Sequence, residues 1–121
     1  MNKKYTIWGR SFDLNIVFDC FPDEKPTQMQ LDSLEEFNRN CASLFKESEW
    51  NVWQYCKKCA TISDDGNIFK YVVPQYLYVQ RNKHDRVVGL MCAYKFDPEH
   101  NLTVVFRNGN FDKIGPQDII L

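Results

Sequence analysis

A chain of 121 residues with 44% hydrophobic and 15% aromatic side chains is long and apolar enough for one packed domain spanning 1–121, and too apolar for intrinsic disorder. Fifteen basic against sixteen acidic side chains leave a net charge of −1, without the basic excess of a general nucleic-acid binder. The basic start MNKK runs into YTIWGRSFDL, which breaks any apolar stretch, so neither a secretory leader nor a membrane-spanning segment is expected.

The first element is a strand over Phe12 to Cys20, where Phe12, Leu14, Ile16 and Phe18 alternate with Asp13, Asn15, Val17 and Asp19. Ile7 and Trp8 pair back onto it through a turn at Gly9. Phe21-Pro22-Asp23-Glu24-Lys25-Pro26 then stops extended pairing. Thr27 and Gln30 have the spacing of a capping box, and Leu31, Leu34, Phe37, Cys41, Leu44 and Phe45 recur at helical spacing, predicting a helix over 28–46. Ser48 is a plausible cap for a second, adjacent helix with Trp50, Val52, Trp53, Cys56, Cys59 and Ala60 on its apolar side. Ser63-Asp64-Asp65-Gly66 is a turn, and Pro74 limits Asn67 to Val73 to a single helical turn.

The C-terminal half alternates strands and turns. Strands are expected over Gln75 to Gln80, Arg86 to Phe96, Leu102 to Arg107 and Phe111 to Ile114. A polar turn falls at Asn82-Lys83-His84-Asp85, and the hairpin turn Asn108-Gly109-Asn110 contains residues that accept positive φ. The apolar end Ile119-Ile120-Leu121 is expected to dock. The sum is an α+β domain, an antiparallel β-meander with two adjacent helices packed on one face. Its edge strands leave a homodimer through a sheet edge open.

Three groups of residues bear on function. Asp13, Asp19, Asp23, Glu24, Asp32, Glu35 and Glu36 face Lys25 alone between positions 13 and 36, a local net charge of −6 that reads as a solvated face or as a patch for a basic protein partner. Cys56 and Cys59 have zinc-ligand spacing, but a single C-x-x-C is a weak metal signal and also places both thiols on one helix face. With Cys20, Cys41 and Cys92 they make five cysteines, an odd number set in apolar patterns. That suits a reducing cytoplasm and leaves the Asn101-Leu102-Thr103 sequon without consequence. The third group is the Asp97-Pro98-Glu99-His100 turn, with Gln117 and Asp118 able to approach it. Its residue types suit a metal or acid/base site, yet Asp97 and Pro98 are also turn builders. About ten residues of strand set His84 roughly 30 Å from His100, too far to share an ion. No phosphate-binding glycine loop, nucleophile elbow or H-E-x-x-H pattern occurs, so no cofactor is expected.

Three blocks, IWGRSFDLNIVFD, NIFKYVVP and above all RVVGLMCAYKFDPEHNLTVVFRNGNFDKIGPQDIIL, resemble a family of small bacterial domains of unknown function. That family ends in a (D/E)PEHG turn, a VVF-x-N/D-G segment and a (V/I)G-x-QDI tail. This chain has Asn101 at the glycine position, and asparagine also tolerates the left-handed conformation. The family is similar to immunity proteins of bacterial toxin neighbourhoods, which implies a cytoplasmic, non-enzymatic interaction module whose partner is a toxin. The competing reading is a small-ligand binder or hydrolytic enzyme at the sheet end around Asp97, Glu99, His100, Gln117 and Asp118.

Overall fold

The computed structural model describes residues 1–60, 62 and 66–121. Six strands form one sheet in the order β1-β2-β3-β4-β5-β6: Asn2–Ile7, Arg10–Phe18, Val72–Val79, Val87–Tyr94, Leu102–Arg107 and Asn110–Gly115. A single helix, α1, runs from Gln28 to Cys59 across one face. Two 3-10 turns, Ile68–Lys70 and Gln117–Ile119, complete the described chain. The turn expected at Ser63-Asp64-Asp65 lies outside the described residues. Among those described, no helix is long and apolar enough to cross a membrane.

The two expected helices are one. At 32 residues, α1 is about 48 Å long by the usual rise per residue. Nothing between Phe45 and Ser48 breaks it, and the buried stripe continues in phase from Leu44 and Phe45 through Ser48, Val52 and Cys56. The N-terminus is built as the capping-box spacing predicts. Thr27 Oγ1 accepts from Gln30 N at 3.2 Å, and Gln30 Oε1 accepts from Thr27 N at 2.9 Å. Ser48 caps nothing. Buried in mid-helix, its Oγ accepts from Trp8 Nε1 at 3.1 Å and donates to the Phe45 carbonyl at 2.8 Å. Ser48→Ala therefore strands a buried indole N–H, and urea titration should show a loss of about 1–3 kcal/mol. Ser48→Asp, which a helix start would welcome, should cost more because it buries a charge.

The stripe also corrects two positions. Leu31 and Trp50 are exposed, while Gln30 is fully buried. Trp50 lies two residues from Val52, roughly 200° around the helix at 100° per residue, so both cannot face the sheet.

The sheet is mostly antiparallel, with one exception to the expected meander. β2 and β3 run parallel, Asn15 opposite Tyr76 through Phe18 opposite Val79, because α1 carries the chain back as a crossover. Pro74 is tolerated because β2 pairs with β3 only from Tyr76 onward, and the β3–β4 register shifts just after the proline. β1 and β2 are joined by Trp8 and Gly9 at φ +52° and +85°, and β5 and β6 by Asn108 and Gly109 at +52° and +80°. Positive φ at both central residues matches the twist of a two-residue hairpin.

Two cores result. Between helix and sheet, Phe37 meets Tyr5, Phe45 and Phe106 at ring centroid distances of 6.2, 5.5 and 5.2 Å. On the other face Val87, Met91 and Val105 are covered by Ile120, so the apolar tail docks as expected. Gly89 makes this possible, since a Cβ there would stand 2.8 Å from Ile120 Cδ1.

Candidate functional site

The structure brings the DPEH turn and the QD tail together, through backbone. Gln117 N donates to the His100 carbonyl at 2.9 Å, and Gln80 Nε2 anchors the Ile120 carbonyl at 2.9 Å. Asp97 organises the turn: its Oδ1 accepts from His100 N at 3.3 Å, and its carbonyl accepts from Asn101 N at 2.8 Å. Asn101 takes φ +56°, the left-handed conformation that asparagine tolerates better than most residues.

His100 Nδ1 lies 3.1 and 3.2 Å from the two Asp97 carboxylate oxygens, with half of its side chain exposed. The hydrogen bond to Asp97, then its charge, with smaller help from Asp118 and Glu99, raises the His100 pKa. A histidine whose folded pKa is raised adds stability that is fully present below its unfolded pKa and is lost as pH rises through the folded one. A two-dimensional NMR titration should show the His100 midpoint falling in Asp97→Asn. An unchanged midpoint would remove Asp97 as the cause. His84 occupies the turn at the opposite end of β4, where Asn82 Oδ1 accepts its backbone N–H at 2.9 Å.

Cys56 is buried and Cys59 exposed at the last turn of α1. Burial pushes the Cys56 thiol up to about 11 and raises that of Cys92 as well, so both favour the neutral thiol over the metal-binding thiolate. The Tyr94 hydroxyl is buried near Cys56 and Cys59, and burial followed by these two thiols raises its pKa. No group of three or more His, Cys, Asp or Glu side chains is arranged to hold a metal among the described residues.

The acidic run is dispersed and partly committed. Glu24 pairs with Arg81, Glu35 with Arg39 at 3.4 Å and Glu36 with Arg86 at 3.0 Å. Asp19 accepts from Arg81 N at 3.2 Å, Asp32 from Gln28 Nε2 at 2.9 Å, and Asp13 stands opposite Lys4 across the β1–β2 hairpin. Asp23 is exposed on the loop before α1.

Sequence reasoning missed a different surface. Trp50, Asn51, Gln54, Tyr55, Lys58, Phe111 and Ile114 line an open groove of about 320 Å³ between the second half of α1 and β6. Trp50 is 65% exposed, the most exposed aromatic ring on the helix. Single exposed apolar side chains are ordinary, and this one stands beside a groove at a sheet edge. The signal was present in the phase of the helix: extending the 28–46 stripe without a break turns Trp50 outward.

These features define an α+β domain with a continuous helix over a six-stranded sheet, a tail clasped to the opposite face and an aromatic groove along one edge. The chain belongs to the family described as a domain of unknown function, DUF6985, whose model matches residues 2–121. No curated protein and no solved structure matches it.

Proposed function

We propose that this domain is a non-enzymatic protein-interaction module of the cytoplasm that neutralises a bacterial toxin. The observation that carries the reading is Trp50, 65% exposed over the groove with Tyr55, Phe111 and Ile114 beside a strand that ends the sheet. Aromatic side chains are enriched at interfaces and supply most hot spots, because they bury much area at little entropic cost. The resemblance to immunity proteins supplies the kind of partner. The carboxylates of Asp13, Asp23 and Asp32, which no arginine neutralises by direct pairing among the described residues, add an acidic surface that would speed encounter with a basic toxin.

The ligand-binding alternative has less behind it. Asp97 is occupied with building its turn and holding His100, and His100 stands exposed. Co-expression with the protein encoded by the neighbouring gene tests the proposal. The expected result is relief of that protein's toxicity and co-purification of the two chains. Growth arrest unrelieved and no complex recovered would end the neutralising role.

A further inference from the structure

We infer that the docking surface is the free edge of β6 with its groove, and that it receives an extended acidic segment of a partner protein as a seventh strand. The inference rests on the protein-binding reading above and specifies the surface and the chemistry of the one segment that docks there, a local acidic stretch distinct from the overall basic charge proposed for the toxin.

β6 closes one end of the sheet order, so one row of its backbone N–H and C=O groups has no neighbouring strand among the described residues. Its register decides what an added strand meets on each side. Phe111 stands opposite Phe106 and Ile114 opposite Val104, two members of the helix-side core, so both belong to the groove side with Trp50 and Tyr55. Lys113 stands opposite Val105, a member of the tail-side core, and so belongs to the other side. A segment laid along β6 therefore faces an apolar groove on one side and a lysine on the other. The matching sequence alternates apolar and acidic residues.

Charge selects the occupant. Along this edge Lys58 in the groove and Lys113 on the strand are exposed and pair with no carboxylate among the described residues. Asp112, the acidic residue of β6, is already held by Arg107 at 3.2 Å. Lys58 and Lys113 thus leave two positive charges without a paired carboxylate on the groove and the strand. A second copy of the chain would bring the same lysines and the same register break to the seam, which disfavours self-pairing. The opposite edge, β1, lacks an equally exposed aromatic: beside it Trp8 and Phe45 are buried.

A phage-displayed library of random 12-residue peptides, selected on the purified domain, tests this. The expected winners carry net negative charge with apolar residues at alternate positions. Their affinity by fluorescence anisotropy should fall about tenfold or more in Trp50→Ala and in the Lys58→Glu/Lys113→Glu double variant. Lys4→Glu, on the other edge, should bind as the parent does, and circular dichroism should find all variants folded, since the replaced side chains are exposed. Basic winners, no enrichment, or affinities indifferent to these substitutions would overturn the inference. So would a dimer that Trp50→Ala dissociates, which would make the occupant a second copy. A toxin complex that survives the same variants would overturn this surface and leave the neutralising role standing. Acidic peptides bound here without any toxin complex would do the reverse.

Discussion

Phe37→Ala is expected to destabilise the domain by about 3–5 kcal/mol, the cost of removing a large buried aromatic whose surroundings relax only in part. Phe37 lies where the helix, β1 and β5 converge, with Tyr5, Phe45 and Phe106 around its ring in edge-on and tilted contacts. Single-domain proteins are stable by only about 5–15 kcal/mol, so the loss should move the urea midpoint far enough to populate unfolded chains without denaturant. Phe37→Leu, which keeps much of the volume, should cost well under half as much. Equal costs for the two would show that the ring is not what the surrounding side chains pack upon.

Gln30 should matter almost as much. Fully buried, its Nε2 donates to the Asp19 carbonyl at 2.9 Å and the Val79 carbonyl at 3.2 Å, while its Oε1 completes the capping box. One amide thus joins the start of α1 to the chain leaving β2 and to the end of β3, across the parallel pair. Gln30→Ala leaves buried polar groups without partners, and a loss of about 2–4 kcal/mol is expected. Gln30→Glu is the sharper test. On an exposed helix start it would be neutral or favourable, because the carboxylate keeps the cap and suits the helix dipole. Here it aims oxygen at two carbonyls and should destabilise at neutral pH. The introduced carboxyl would have a raised folded pKa, so the deficit should shrink as pH falls through that value and the protonated form donates again. A neutral effect at pH 7 would mean that only the capping half of Gln30 matters.

Much of the fold was legible because local chemistry and global structure agree. The capping box at Thr27, the positive-φ hairpin at Asn108-Gly109, the strand alternation of Phe12 to Phe18 and the docked tail all appear where their residues place them. The errors share one cause, which is tertiary context. Ser48 is a good capping residue by type, but its hydroxyl is spent on Trp8 from a distant hairpin. The parallel β2–β3 pair depends on where the helix returns the chain, which strand alternation does not encode.

The candidate site was less legible. The DPEH and QD blocks drew attention because Asp, Glu, His and Gln are the residues of catalysis. Structurally they form a clasp: Asp97 closes the turn, Asn101 takes the left-handed bend, and Gln117 ties the tail back to His100. Gly115 belongs to the same device, since a Cβ there would crowd Ile119 at 3.1 Å. The exposed aromatic groove carries no motif at all. It arises where one face of a long helix meets the end of a sheet, and Trp50 and Phe111, sixty-one positions apart, meet only after folding.

Hydrogen–deuterium exchange on the domain with and without its co-expressed neighbouring protein tests the central claim most directly. Binding along β6 predicts new amide protection at Asn110–Gly115, with weaker changes on the helix near Trp50 to Lys58, and none on β1. Protection confined to the acidic loop and first turns of α1, from Asp19 to Glu36, would contradict it and hand the interface to the carboxylates.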